Sequence, residues 1–294
     1  MSKKLFFGGM LLLLGLSACS DNDSKYSYTY NLNPINIITN VSDGTSYASE
    51  GRYSFELTST PSSNTGVISV SNLLINNSLQ SFTTFEQPYK TNLYFANFEN
   101  VETDNANVSD ANFLLTPYFN YPAYYNIIPT YQSSGDIVLA KYKYGDYEVK
   151  TFQKNTFFVG TTETTYPFQG QNMSASSETI YYQLVIDIAE NPRKATLIMY
   201  NAKFSGVEQE PVKKQINLED LDVTYANGLI TVTGENIIPD IVEGSAVTPN
   251  PDYIFDNIEF KTISDDLTLC SITFKVRGIY NGSFRGSYAD SSKR

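Results

Sequence analysis

Apolar and polar residues alternate along much of this chain. Tyr53, Phe55 and Leu57 alternate with Ser54 and Glu56, and Tyr147, Val149 and Thr151 with Glu148 and Lys150. Ile230 and Val232 alternate with Thr231 and Thr233, and Ile272, Phe274 and Val276 with Thr273, Lys275 and Arg277. A period of two, filled by β-branched and aromatic residues, predicts half-buried strands. Turn residues cluster between the runs, at Ser42-Asp43-Gly44, 60–66, 133–136, Glu190-Asn191-Pro192, Ala226-Asn227-Gly228 and Tyr280-Asn281-Gly282. Helical spacing is scarce. Its best candidate, 211–222, sets Ile216, Leu218 and Leu221 at intervals that fit neither period. The pattern predicts an all-β fold, and 294 residues suggest two domains or one large β-domain.

A faint internal repeat bears on that choice. Residues 53–75 align without gaps on 182–204, matching Tyr53 to Tyr182, Leu57 to Ile186, Ile68 to Leu197, Asn72 to Asn201 and Ile75 to Phe204. Residues 111–116 line up loosely with 226–231, and 134–144 with 264–274. Either the chain is a duplication, or two unrelated β-hairpins share their alternation. A duplication implies two antiparallel β-barrel or β-sandwich domains in tandem, over 26–147 and 148–294.

The N-terminus reads as an address. Lys3 and Lys4 precede an apolar run over 5–16, which is shorter than the roughly 20 residues a bilayer span requires. This is the layout of a signal peptide, here 1–18. The run ends in Leu16-Ser17-Ala18-Cys19, which resembles the bacterial lipobox. That resemblance implies lipidation of Cys19 and anchorage in the membrane through acyl chains. An acidic, polar tether follows over 19–25, and its Ser20-Asp21-Asn22-Asp23-Ser24 resembles the export signal of Bacteroidetes surface lipoproteins. The resemblance implies the outer membrane, with the protein exposed at the cell surface.

A second resemblance lies in the later half. It rests on Lys194-Ala195-Thr196-Leu197-Ile198-Met199-Tyr200-Asn201-Ala202-Lys203-Phe204, on Tyr225-Ala226-Asn227-Gly228-Leu229-Ile230-Thr231-Val232, on Ile237-Ile238-Pro239, and on a Gly-, Tyr- and Phe-rich close over 269–288. These are similar to the calycin-like domain of Bacteroidetes lipoproteins, an antiparallel barrel with a lipocalin-like layout. The resemblance covers about residues 150–290. It implies a fold and brings no catalytic residues with it.

Composition narrows the chemistry. The chain has no histidine. That excludes Ser-His-Asp and Cys-His catalysis, which need an imidazole to move the nucleophile's proton, and excludes His-ligated metals. Loss of the leader leaves 18 Lys+Arg against 31 Asp+Glu, a balance of −13 with no basic stripe, so nucleic acid is excluded as a partner. Once Cys19 is lipidated, Cys270 has no disulfide partner, and it sits in a strand-like run that predicts a buried, inert thiol. No metal, cofactor or catalytic residue is predicted.

One segment stands out as a ligand surface. Tyr118, Tyr121, Tyr124 and Tyr125 lie around Pro117 and Pro122, with Tyr131 beyond. Rigid aromatic faces on a loop suit a glycan; a long loop closing one end of a barrel explains the same residues. Asp104, Asn105, Asn107 and Asp110 are oxygen-rich but lack the Gly and Glu of a calcium loop, so an exposed turn is expected. Glu219-Asp220 with Asp222, and Asp265-Asp266, read as solvated turns. In Lys141-Tyr142-Lys143-Tyr144, one set of side chains is expected to face solvent. The expectation is a non-enzymatic surface lipoprotein that binds a glycan or a small apolar molecule. A carboxylate glycan hydrolase and a ligand-free component of a surface assembly are the alternatives.

Overall fold

The computed structural model describes residues 26–60, 62–91, 96–116, 137–187, 193–207, 213–265 and 267–289. Among them every long element is a strand, and all strand pairings are antiparallel. The one helical turn among the described residues is 3-10, at Pro251–Tyr253.

The first half is a two-sheet sandwich. Its strands are β1 (Tyr26–Leu32), β2 (Ile35–Asn40), β3 (Ser46–Glu50), β4 (Arg52–Ser59), β5 (Asn64–Ile75), β6 (Ser78–Thr83), β7 (Gln87–Pro88), β8 (Lys90–Thr91), β9 (Ala96–Val101), β10 (Val108–Thr116), β11 (Ile137–Tyr144) and β12 (Tyr147–Phe152). One sheet runs β1-β4-β5-β6, with β7 also against β5; the other runs β3-β2-β12-β11-β10-β9-β8. Tyr53, Phe55 and Leu57 of β4 meet Phe98, Phe113 and Tyr142 of the facing sheet in one core. The Tyr53 hydroxyl lies 2.5 Å from Asn36 Oδ1 and 2.9 Å from the Tyr142 hydroxyl, so the polar groups inside are paired.

The second half closes on itself. Its strands are β13 (Asn155–Phe168), β14 (Gln171–Ser177), β15 (Tyr181–Asp187), β16 (Lys194–Ala202), β17 (Lys213–Ala226), β18 (Leu229–Ile237), β19 (Asp240–Glu243), β20 (Ala246–Pro249), β21 (Phe255–Thr262), β22 (Leu269–Val276) and β23 (Tyr280–Ala289). Eight of them, β13-β15-β16-β17-β18-β21-β22-β23, pair each with the next, and β23 returns to β13 from Phe157↔Ala289 to Thr165↔Asn281. The result is a closed up-and-down barrel. Strand β14 and the β19–β20 hairpin branch off it.

The helical candidate is corrected. Residues 213–226 form strand β17. Its odd spacing comes from a bulge: Leu197 pairs Leu218 but Ala195 pairs Leu221, so β17 carries an extra residue, and Asp220 takes φ 57°. The bulge lets Ile216, Leu218 and Leu221 all face the core. The turn expected at Tyr280-Asn281-Gly282 is also displaced. It lies at Arg277-Gly278, with φ 55° and 69°, while Gly282 sits inside β23. There the missing side chain makes room for the Phe274 ring lying across the backbone.

Strand β2 faces both bodies. Asn36 and Ile38 point into the sandwich, whereas Ile35 and Ile37 join the barrel's core, as does Phe152 of β12. Burial on both faces explains why Ile35-Asn36-Ile37-Ile38 reads as a near-continuous apolar run. Polar contacts extend the junction. The Gly228 N–H donates to Ser46 Oγ at 3.1 Å, Arg193 Nη2 donates to the Ala48 carbonyl at 2.8 Å, and Lys150 Nζ lies 2.6 Å from Asp265 Oδ1.

Candidate functional site

The barrel interior is filled. Tyr182 and Phe284 rings stand 4.5 Å apart, Phe158 and Phe260 5.3 Å, and Phe255 and Phe274 5.8 Å. Phe204, which follows β16, packs its ring against Tyr253, Phe255, Phe274 and Tyr280. Eight strands give a lumen just wide enough for side chains, and here large rings occupy it.

An opening lies instead in the wall. Over Asn155–Phe158, strand β13 pairs with β15; over Thr162–Phe168 the same edge pairs with β14. This change of partner separates β14 from the end of β16 and leaves a pocket of about 380 Å³. Thr162 and Thr164 lie deepest, at 1% and 2% exposure, on the inward face of β13. Residues 175–179 form one wall, and Lys203, Ser205 and Gly206 form the other.

Hydrogen bonds hold this frame. The Gly206 N–H donates to the Tyr166 hydroxyl at 2.7 Å, tying the second wall to β13. Asn201 Nδ2 donates to the Thr179 carbonyl at 3.4 Å, tying the walls to each other. The Thr179 N–H donates to Ser177 Oγ at 3.3 Å and fixes the bend. Thr162 Oγ1 lies 3.2 Å from the Tyr182 hydroxyl, whose pKa burial pushes well up, so the phenol keeps its proton. Six of the ten lining residues carry hydroxyls, Lys203 and Glu178 are the charged ones, and Ala175 and Gly206 complete the set. Such a surface offers paired donors and acceptors to a polar ligand.

The sequence did not single out these residues. A signal was present, because Thr162 and Thr164 occupy inward positions of a barrel strand where apolar residues are the rule. The residues that were singled out fall elsewhere. Cys19, Tyr118, Tyr121, Tyr124 and Tyr125 lie outside the described residues. Tyr142 is in the sandwich core, and its neighbour Lys143 pairs outside with Asp110 at 2.7 Å. The 104–110 oxygens serve the chain itself: Asp104 Oδ1 accepts from the Thr83 N–H at 2.7 Å and Asn105 Oδ1 from the Asn107 N–H at 3.0 Å.

The carboxylate clusters are also placed, apart from Asp266, which lies outside the described residues. Glu219 and Asp220 belong to the β17 bulge and are exposed, which corrects the turn expected there, and Asp222 pairs with Lys194 at 2.6 Å. Asp265 does sit in a turn, but it is held by Lys141 and Lys150 of the sandwich; those two cations keep its carboxyl near a pKa of about 2. Cys270 is fully buried, and burial pushes its thiol well above the usual range, so it stays protonated and unreactive. Comparison with protein-family models, with curated proteins and with solved structures gives no match for this chain.

Proposed function

We propose that this chain is a non-enzymatic lipoprotein, anchored in the outer membrane through Cys19, exposed at the cell surface, and binding a glycan in the pocket beside β14. The observation that carries the ligand assignment is the lining of that pocket. Thr162, Thr164, Ser177, Thr179 and Ser205 all line it, and Ser177 lies directly opposite Thr162 on the same face of the β13–β14 pair. A sugar can extend the hydrogen bonds that these groups make, whereas an apolar ligand offers them none. The filled barrel supports the same choice, because the aromatic core occupies the place where a small apolar ligand is usually held. The lack of histidine supports a binding role over a catalytic one.

The test uses the detergent-solubilised full chain on an array of defined glycans. Wild type is expected to bind, and Thr179→Trp, which fills the pocket from its exposed rim, is expected to abolish binding with an unchanged melting temperature. The pair Tyr124→Ala and Tyr125→Ala is expected to leave binding intact. Wild-type protein that binds nothing on the array rejects the glycan reading. Binding lost in the tyrosine pair and kept in Thr179→Trp moves the site to the Tyr-rich segment.

A further inference from the structure

The pocket continues into a second surface. Thr179, on its rim, lies two residues before Tyr181 at the start of β15, and Lys203, on the other wall, follows the end of β16. Tyr181 and Tyr200 are directly opposed across β15 and β16, on the outside of the barrel, because their neighbours Tyr182 and Met199 are fully buried within. Their rings stack at 4.6 Å with planes 12° apart. The Tyr200 hydroxyl donates to Gln183 Oε1 at 2.5 Å, and Gln183 Nε2 donates to Asn155 Oδ1 at 2.7 Å. Gln215 of β17 is opposite Tyr200 and donates to Asn217 Oδ1 at 2.9 Å. Every one of these side chains is uncharged.

We propose that this face is the second subsite of an extended site, and that the ligand is a neutral oligosaccharide whose terminal unit enters the pocket. The inference rests on the glycan reading above. Three features carry it. First, the pocket is closed where its walls approach at Ala175 and Gly206, with a Cβ on Gly206 only 3.5 Å from that of Ala175. Such a pocket holds the end of a chain. Second, Thr179 is exposed and Tyr181 half-buried on either side of Ile180, which turns inward, so the rim of the pocket and the first ring are only two residues apart. The surface therefore continues from the rim to the paired rings. Third, the chemistry fits: the aromatic rings offer apolar contact to sugar C–H groups, and Gln215 and Asn217, less buried than Gln183, add amides beside them. The hydrogen bonds among Asn155, Gln183 and Tyr200 fix the amide and ring before any ligand arrives, which lowers the ordering cost of binding.

The test measures mono-, di- and trisaccharides of the glycan series that the array identifies, against the full chain. Affinity is expected to rise at least about tenfold from mono- to disaccharide. The double variant Tyr181→Ala, Tyr200→Ala is expected to remove that rise and keep monosaccharide binding. Tyr200→Phe, which keeps the ring and loses the bond to Gln183, is expected to fall between. Hydroxyl-radical footprinting of the wild type needs no variant: a bound trisaccharide is expected to protect Tyr181 and Tyr200, and a bound monosaccharide to leave them reactive. If trisaccharides bind no better than monosaccharides, or leave both tyrosines unprotected while Thr179→Trp abolishes binding, the extended site is overturned and the pocket stands. If no glycan binds the wild type, the parent reading falls with it.

Discussion

Lys150 Nζ, on β12 of the sandwich, lies 2.6 Å from Asp265 Oδ1, in the turn between β21 and β22 of the barrel, and joins positions 115 residues apart. The lysine side chain is only 5% exposed and also meets Glu148 at 3.0 Å, while Lys141 binds Asp265 from the rim. Two cations and two carboxylates thus sit at the junction of the two bodies.

This cluster makes the junction acid-sensitive. Asp265 has a folded-state pKa of about 2, held down by hydrogen bonds from Lys141 and Lys150, against roughly 3.9 for an unfolded Asp. The folded value is the lower one, so its stabilisation is complete above about pH 4 and fades as pH falls toward 2. Asp265→Asn is expected to melt below wild type at pH 7, with the gap closing as the pH approaches 2. Thermal unfolding followed by circular dichroism across that range checks it; a gap that is constant with pH contradicts it.

Phe204 tests whether the barrel is filled. Phe204→Ala removes a ring in contact with four others and is expected to cost roughly 3–5 kcal/mol. It also opens an apolar cavity, the kind that stays dry and admits benzene. Denaturant titration reads the first effect. Stabilisation of the variant by benzene, with no such effect on wild type, reads the second.

Gly282→Ala places a methyl group against the Phe274 ring within β23. The ring must leave its position, and overpacking of this kind costs about 1–3 kcal/mol. The midpoint of chemical unfolding is expected to fall accordingly, and combining the change with Phe274→Leu is expected to recover part of the loss.

Cys270 is expected to resist alkylation in the folded protein and to react at once in denaturant, since it is fully buried with a raised pKa. Mass spectrometry after brief iodoacetamide treatment measures this.

For the N-terminus, Cys19→Ala is expected to abolish lipid attachment and shift the protein out of the membrane fraction. Intact-mass analysis of the wild type must then show the added acyl groups, and an unmodified Cys19 in that fraction contradicts the anchor.

The all-β character was legible because several strands bury one face only, as Tyr53, Phe55 and Leu57 of β4 show. Reading weakened where local geometry departs from the regular pleat. At Asp220 a bulge inserts one residue and breaks the period, so a strand imitated a poor helix. At Gly282 the residue served packing, while the turn chemistry lay at Arg277-Gly278. The aligned Asn72 and Asn201 both take positive φ within strands, 59° and 57°, so that match recorded a shared backbone feature. The pocket was hidden for another reason: Thr162, Thr179 and Lys203 come from three segments whose meeting depends on β13 exchanging one partner for another, a long-range event with no local signature.

Strand β2 has one further consequence, and it concerns the order of events during synthesis. The sandwich comes first along the chain and can pair its strands before the barrel exists. Until the barrel forms, Ile35, Ile37 and Phe152 stay uncovered on the side away from the sandwich core. The barrel that covers them is complete once β23, the last strand among the described residues, pairs with β13. Long-range closure of this kind is slow and leaves apolar surface open to aggregation in the interval. A lesion in the final strand is therefore expected to prolong the exposure of Ile35, far from it in the chain.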